Sequence, residues 1–98
     1  MSLELKFAKR AEDDLQQIWR YSAIEWGVEQ ADAYITGMRA RCMLLCDNPA
    51  LGPERFYGRR ALRRWPAGSH ILYYRIEGRR VRVVRILHSA MDPRRHLS

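Results

Sequence analysis

HILYYRIEGRRVRVVRIL, residues 70–87, alternates apolar and polar side chains on both sides of a Glu-Gly pair. Alternation with period two marks a half-buried strand, and a glycine at the break tolerates the positive φ of a tight turn. The stretch therefore predicts a β-hairpin of strands 70–76 and 80–87. With Glu77 and Gly78 as the turn residues, Ile76 pairs with Arg79, Tyr74 with Val81, Leu72 with Val83 and His70 with Arg85. One face then carries Leu72, Tyr74, Ile76, Val81 and Val83, and Tyr73, Arg75 and Arg82 lie on the other. A face that apolar has to be covered, and the rest of the chain must supply the cover.

Working outward, ALRRW (61–65) reads as a further strand, joined to the hairpin through the turn Pro66-Ala67-Gly68. NPALGPERFYGRR (48–60), with two prolines and two glycines, reads as the main loop. Before it the period changes to that of helices. Tyr34, Ile35, Met38, Cys42 and Leu45 continue a stripe begun at Ala31, and Asp47-Asn48-Pro49 ends it. Gly37 inside this helix costs about 1 kcal/mol relative to alanine, which suggests close packing there. An earlier stripe of Ala11, Leu15, Ile18, Trp19, Ser22 and Trp26 predicts a first helix from about Ala8, stopped by Gly27. Glu12, Asp13 and Asp14 fall in its opening turns, where the helix dipole favours acids. LELKF (3–7) alternates again and reads as a short strand. Two helices with so short a link run antiparallel. The expected fold is α+β in two layers, a helical hairpin on a small antiparallel sheet, in the order β-α-α-β-β-β.

A chain of 98 residues is expected to form one domain, residues 1–98, since a second core would leave both too small. No apolar run approaches the ~20 residues of a membrane span, and Met1–Phe7 lacks the basic-then-apolar order of a signal peptide, so a cytoplasmic protein with no membrane partner is expected. The net charge of +7 is unevenly placed. Residues 1–54 balance to −3, whereas residues 55–98 carry twelve arginines against Glu77 and Asp92, a balance of +10. Arginine's planar fork suits phosphates, carboxylates and carbonyls, so the second half implies a basic face and an acidic partner.

The residues offer little for catalysis. Single glycines at turns make no phosphate-cradling motif. Cys42 and Cys46 share a helix face without two further ligands, and His70, His88 and His96 have no carboxylates at metal-ligand spacing, so neither a metal nor a cofactor is expected. Ser89, His88 and Asp92 are too close in sequence for a nucleophile and its base to face one another. Phosphate cleavage by Arg59, Arg60, Arg63, Arg64, Arg82 and Arg85, with His70 nearby, is the one catalytic arrangement the residue types allow. Trp19, Trp26 and Tyr34 lie on the helix stripes and read as core first, and as interface anchors on the outer side of the hairpin second.

AEDDLQQIWRY (11–21), WGVEQADAYI (26–35), NPALGPE (48–54), ALRRWPAGSHILYYRIEG (61–78) and VRILHSAMDPRRHL (84–97) together resemble the ParE branch of the RelE/ParE toxin superfamily. The most specific part is the strand end Arg85-Ile86-Leu87-His88 followed by Met91-Asp92. Ala8-Lys9 stands where such proteins often open the first helix with Ser/Thr-Pro, a departure that bears on capping. The resemblance implies a toxin neutralised by a ParD-like antitoxin in a hetero-oligomer and, when freed, a poison of DNA gyrase that blocks replication. It makes the tail a docking element, with Arg85, His88, Met91, Asp92, Arg94, Arg95 and His96 as target contacts. Trp19, Trp26, Tyr34, Arg59, Arg60, Arg63 and Arg64 are the expected antitoxin contacts, an acidic segment wrapping the basic sheet. No catalytic residue is expected. The alternative is the RelE-like branch, a ribosome-dependent messenger-RNA endoribonuclease; its usual C-terminal tyrosine is absent after Asp92, leaving His88 or His96 to serve.

Overall fold

Residues 70–87 form the predicted hairpin, with its turn moved along by one residue. In the computed structural model, which describes residues 2–97, Glu77 pairs with Arg80, Ile76 with Val81, Tyr74 with Val83 and His70 with His88. The predicted pairs of Tyr74 with Val81 and His70 with Arg85 are thus corrected. The reason is the turn: Gly78 stands first of the two central residues at φ +58°, the arrangement of a type II′ turn. The same Gly-first turn closes the other two hairpins, at Gly58-Arg59 and Gly68-Ser69. A two-residue displacement of register keeps each side chain on its face, so the predicted apolar face survives as far as Val83.

Beyond Val83 it changes. Tyr73 lies opposite Arg85 and Tyr74 opposite Val83, so Val84 is the extra residue of a β-bulge. A bulge shifts the phase of the strand that carries it. Val81, Val83 and Ile86 therefore pack toward the helices, and Val84 and Leu87 pack on the far side of the sheet.

The elements run β1 (Glu4–Phe7), α1 (Lys9–Trp26), α2 (Val28–Asp47), β2 (Glu54–Tyr57), β3 (Arg60–Ala67), β4 (His70–Glu77), β5 (Arg80–His88) and α3 (Arg94–Leu97). The fold is α+β, a helical hairpin packed on a five-stranded sheet in the order β1-β5-β4-β3-β2. All neighbours are antiparallel except β1, which runs parallel to β5. The expected loop at 48–60 contains β2: RFY there alternates too briefly to register as a strand, yet pairs with Arg60–Leu62 across a tight turn. Pro66, placed in a turn from sequence, lies in β3 opposite Ile71, past the end of β2, where a missing N–H is tolerated.

α1 buries Ala11, Asp14, Leu15, Ile18 and Ser22, and α2 buries Ala31, Met38, Cys42, Leu45 and Cys46. Gly27 alone links them, at φ +95°. Their stripes meet Leu72, Tyr74, Val81, Val83 and Ile86 in the main core, where each fully buried aliphatic contributes about 1.5–3 kcal/mol. Burial pushes the Cys42 thiol up to about 12 and raises that of Cys46, so both stay protonated fillers. The buried Tyr74 hydroxyl donates to the Pro49 carbonyl (2.8 Å) and accepts from the Gly52 N–H (2.9 Å), fastening the 48–53 loop to the sheet. A methyl on Gly52 would lie 2.5 Å from the Arg64 carbonyl, so close approach is what this glycine supplies. Gly37 does not permit close packing as its sequence position suggested, because nothing lies within 4 Å of where its Cβ would be.

Candidate interaction surface

The hub beneath the tail is Asp14. β1 ends at Phe7, so the outer edge of β5 beyond Val83 has no strand beside it. The Asp14 carboxylate takes that place: it accepts the Ile86 N–H at 2.9 Å and a two-pronged ion pair from Arg85, Nε to Oδ2 at 2.9 Å and Nη2 to Oδ1 at 3.1 Å. Both side chains are nearly buried. Arg85 also donates to the His96 carbonyl at 3.4 Å. Asp14 was read as a solvated dipole acid; its spacing of three from Ala11 and four from Ile18 places it in the buried stripe, the signal that would have found it. Arg85, expected among the target contacts, is committed to Asp14 and holds the base of the tail.

The tail turns on Asp92. Its Oδ1 accepts the Arg94 N–H at 3.0 Å, and the Leu97 N–H reaches the Pro93 carbonyl at 2.8 Å, giving the one-turn helix α3. That N–H, with the Arg94 guanidinium, holds the Asp92 carboxyl below its usual range. Leu97, 1% exposed, plugs a second apolar cluster with Tyr57, Leu62, Tyr73, Val84 and Leu87 on the outer face of the sheet. Arg94, Arg95 and Met91 face solvent, and His96 is half-buried.

His88 is exposed at the end of β5, its ring 5.3 Å from that of His70. The Ala90 N–H donates to His88 Nδ1 at 3.0 Å, which leaves the ring proton on Nε2. Tyr34 Oη accepts the Ser69 N–H and lies 2.7 Å from His70 Nδ1 and 3.4 Å from the Ala67 carbonyl. Burial first, and the neighbouring His88 second, lower the basicity of His70. The two imidazoles, Tyr34, Tyr21, Trp26 and Gln30 line a cavity of about 440 Å³. Asp92, turned to Arg94, makes no triad with His88.

The expected antitoxin contacts are dispersed. Trp19 is half-buried and donates its indole N–H to Asp32 at 2.8 Å, tying α1 to α2. Trp26, expected in the core, is 71% exposed at the end of α1. Tyr21 and Ile24 on α1 and Val28 at the start of α2 are exposed apolar residues of the same strip, and the spacing of three between Tyr21 and Ile24 is the signal that would have found its α1 part. Arg63 is occupied by the Gly52 and Ala50 carbonyls at 2.8 and 3.4 Å. Arg60 donates to the Leu97 carbonyl, Arg64 lies over the Tyr73 ring, and Arg59 is exposed in its turn. Among the described residues no three His, Cys, Asp or Glu side chains gather at a metal-binding distance, and no helix is long and apolar enough to cross a membrane.

Residues 5–93 match the family described as the ParE toxin of the type II toxin-antitoxin system, parDE. The chain belongs to the ParE toxin family. It is 39% identical to Toxin ParE1 of Caulobacter vibrioides over 92 residues, covering 94% of this chain and 95% of that protein. To Toxin ParE1 of Mycobacterium tuberculosis it is 35% identical over 98 residues, covering 99% of this chain and all of the relative. A solved chain from the chromosomal ParDE system of P. aeruginosa shares the fold, with a TM-score of 0.76 at 19% identity, over 89% of this chain and 96% of that one. The toxin is thus a ParE-type component of a type II toxin–antitoxin module, and Asp14, Arg85 and the α3 tail are its local means of holding a basic C-terminus in place.

Proposed function

We propose that this toxin acts in the cytoplasm by binding, poisoning DNA gyrase so that replication stops, and that a ParD-like antitoxin neutralises it in a hetero-oligomer. The observation that supports target binding is the tail: a one-turn helix that buries Leu97, leans on the Asp14–Arg85 pair and turns Arg94 and Arg95 outward. Arg94, Arg95, Met91 and His88 are the proposed target contacts, with Asp92, Arg85 and His96 setting the shape beneath them. The antitoxin is proposed to anchor on the strip of Tyr21, Ile24, Trp26 and Val28 and the adjoining cavity lined by Tyr34, with Arg59, Arg60 and Arg64 taking its acidic groups. Apolar anchors offset the ordering of a segment that folds as it binds.

The ribonuclease reading has one observation in its favour, two histidines beside a tyrosine in a cavity. His88 Nδ1 already accepts the Ala90 N–H and His70 Nδ1 is paired with the Tyr34 hydroxyl, so on neither ring is Nδ1 free to take a proton from a substrate. Binding is the better-supported reading. It is tested by incubating the toxin with gyrase, ATP and closed circular plasmid and denaturing the mixture. Linear DNA carrying covalently attached gyrase, lost on adding antitoxin, is the expected result. Normally supercoiled plasmid at every toxin concentration, together with cleavage of ribosome-bound messenger RNA, overturns it.

A further inference from the structure

We propose that the outer face of the sheet carries a second site, an arginine basin that grips the phosphodiester backbone of duplex DNA independently of gyrase. Arg75 on β4 lies directly opposite Arg82 on β5. Like charges in direct cross-strand register are destabilising, so this pair does not serve the fold. Glu77 alone among the described carboxylates reaches them, contacting Arg75 and lying 4.0 Å from Arg82. With Arg60 from β3 and Lys9 and Arg10 from the start of α1 they line a cavity of about 300 Å³ that no acidic side chain enters.

Two features of the face select the ligand. Its aromatic rings, Tyr57 and Tyr73, are buried within the Leu97 cluster and offer no platform on which bases of a single strand stack. Its strands also present no exposed apolar side chain: Phe56 and Ile76, the exposed large apolar residues of β2–β5, stand opposite Ala61 and Val81 and alternate to the helix side. An acidic peptide that orders on this face without the Tyr21–Val28 strip needs such anchors. A rigid duplex, already ordered and read only through its phosphates, does not. Arginine forks on adjacent strands about 4.8 Å apart meet a phosphate from two sides.

The test is fluorescence anisotropy of full-length toxin with a labelled 20-base-pair duplex of arbitrary sequence, titrated at several salt concentrations without gyrase. The expected result is sequence-independent binding whose log K falls with log salt at a slope of about −3, for three phosphates engaged. Arg75→Ala/Arg82→Ala should weaken binding at least tenfold and reduce the slope by about two, with a thermal midpoint equal to or above that of the parent. A second variant, Arg10→Ala, should weaken binding without moving the midpoint. Unchanged duplex affinity in these variants overturns the site. So does equal binding of single-stranded RNA, or stronger binding of a polyglutamate peptide, each assigning the basin to another partner. The assay contains no gyrase, so it and the linearisation experiment can fail separately.

Discussion

Toward the helices the sheet presents Leu72, Tyr74, Val81, Val83 and Ile86, all buried against two amphipathic stripes. Away from them it presents a smaller knot of Tyr57, Leu62, Tyr73, Val84 and Leu87, closed by one residue of the tail and ringed by Arg60, Arg64, Arg75 and Arg82. The first face is apolar enough to specify the fold by itself. The second is buried only as far as Leu97 reaches and otherwise leaves its arginines to solvent. Stability and charge are thus assigned to opposite faces, and the Asp14–Arg85 pair at the β5 edge is where the two are joined.

Breaking the joint should have the largest effect. Asp14→Ala leaves Arg85 buried without its counter-charge and the Ile86 N–H without an acceptor, and should lower stability by about 3–5 kcal/mol, read as a fall in the urea midpoint. Removing the plug on the outer face should do less. Leu97→Ala is expected to cost about 2 kcal/mol, the low end for a core leucine, because its cluster is shallow. A larger loss than Asp14→Ala would reverse the ranking of the faces. In the opposite direction, the buried Tyr57 hydroxyl has no hydrogen-bond partner among the described residues, so Tyr57→Phe should stabilise the toxin by about 1 kcal/mol in the same assay.

The smallest effect is expected at the junction of α2 with the sheet. His70 is less basic folded than its ordinary 6.5. The unfolded chain then binds more protons below that value, so stability is full above about pH 6.5 and declines as pH falls toward the folded pKa. The midpoint of the parent should drop between pH 7.5 and pH 5, and that of His70→Gln should drop less. A parallel pair of profiles would show that His70 is not strained by burial.

The hairpin, the two helices and Gly27 were legible in the sequence because each rests on a local signal, a period or a turn residue. What was missed is non-local. The bulge at Val84 depends on how β5 meets β4; it takes Arg85 out of the helix-facing alternation of Val81 and Val83, sets it opposite Tyr73 and puts Ile86 on the helix side in its place. Asp14 looked like a dipole acid until the end of β1 left an edge N–H for it to satisfy. Trp26 looked buried because it continues the α1 stripe, yet it is the last residue of that helix and stands exposed. β2 was hidden in a loop rich in proline and glycine, and Leu97 gave no sign that the tail returns to the sheet. Of the expected site residues, Arg94, Arg95 and Met91 lie on the surface of the tail, Arg94 paired there with Asp92, whereas Arg63 and Arg85 are turned inward onto the chain itself.

The central claim is that the tail makes the toxin and the helix-covered core merely carries it. The most direct test compares the parent with Arg94→Glu/Arg95→Glu in the gyrase linearisation assay, alongside urea unfolding of both. The account predicts unfolding midpoints that stay close, apart from the exposed Arg94–Asp92 pair that the variant gives up, and loss of the linear, gyrase-bound DNA in the variant. Equal yields of that product from the two proteins would contradict it.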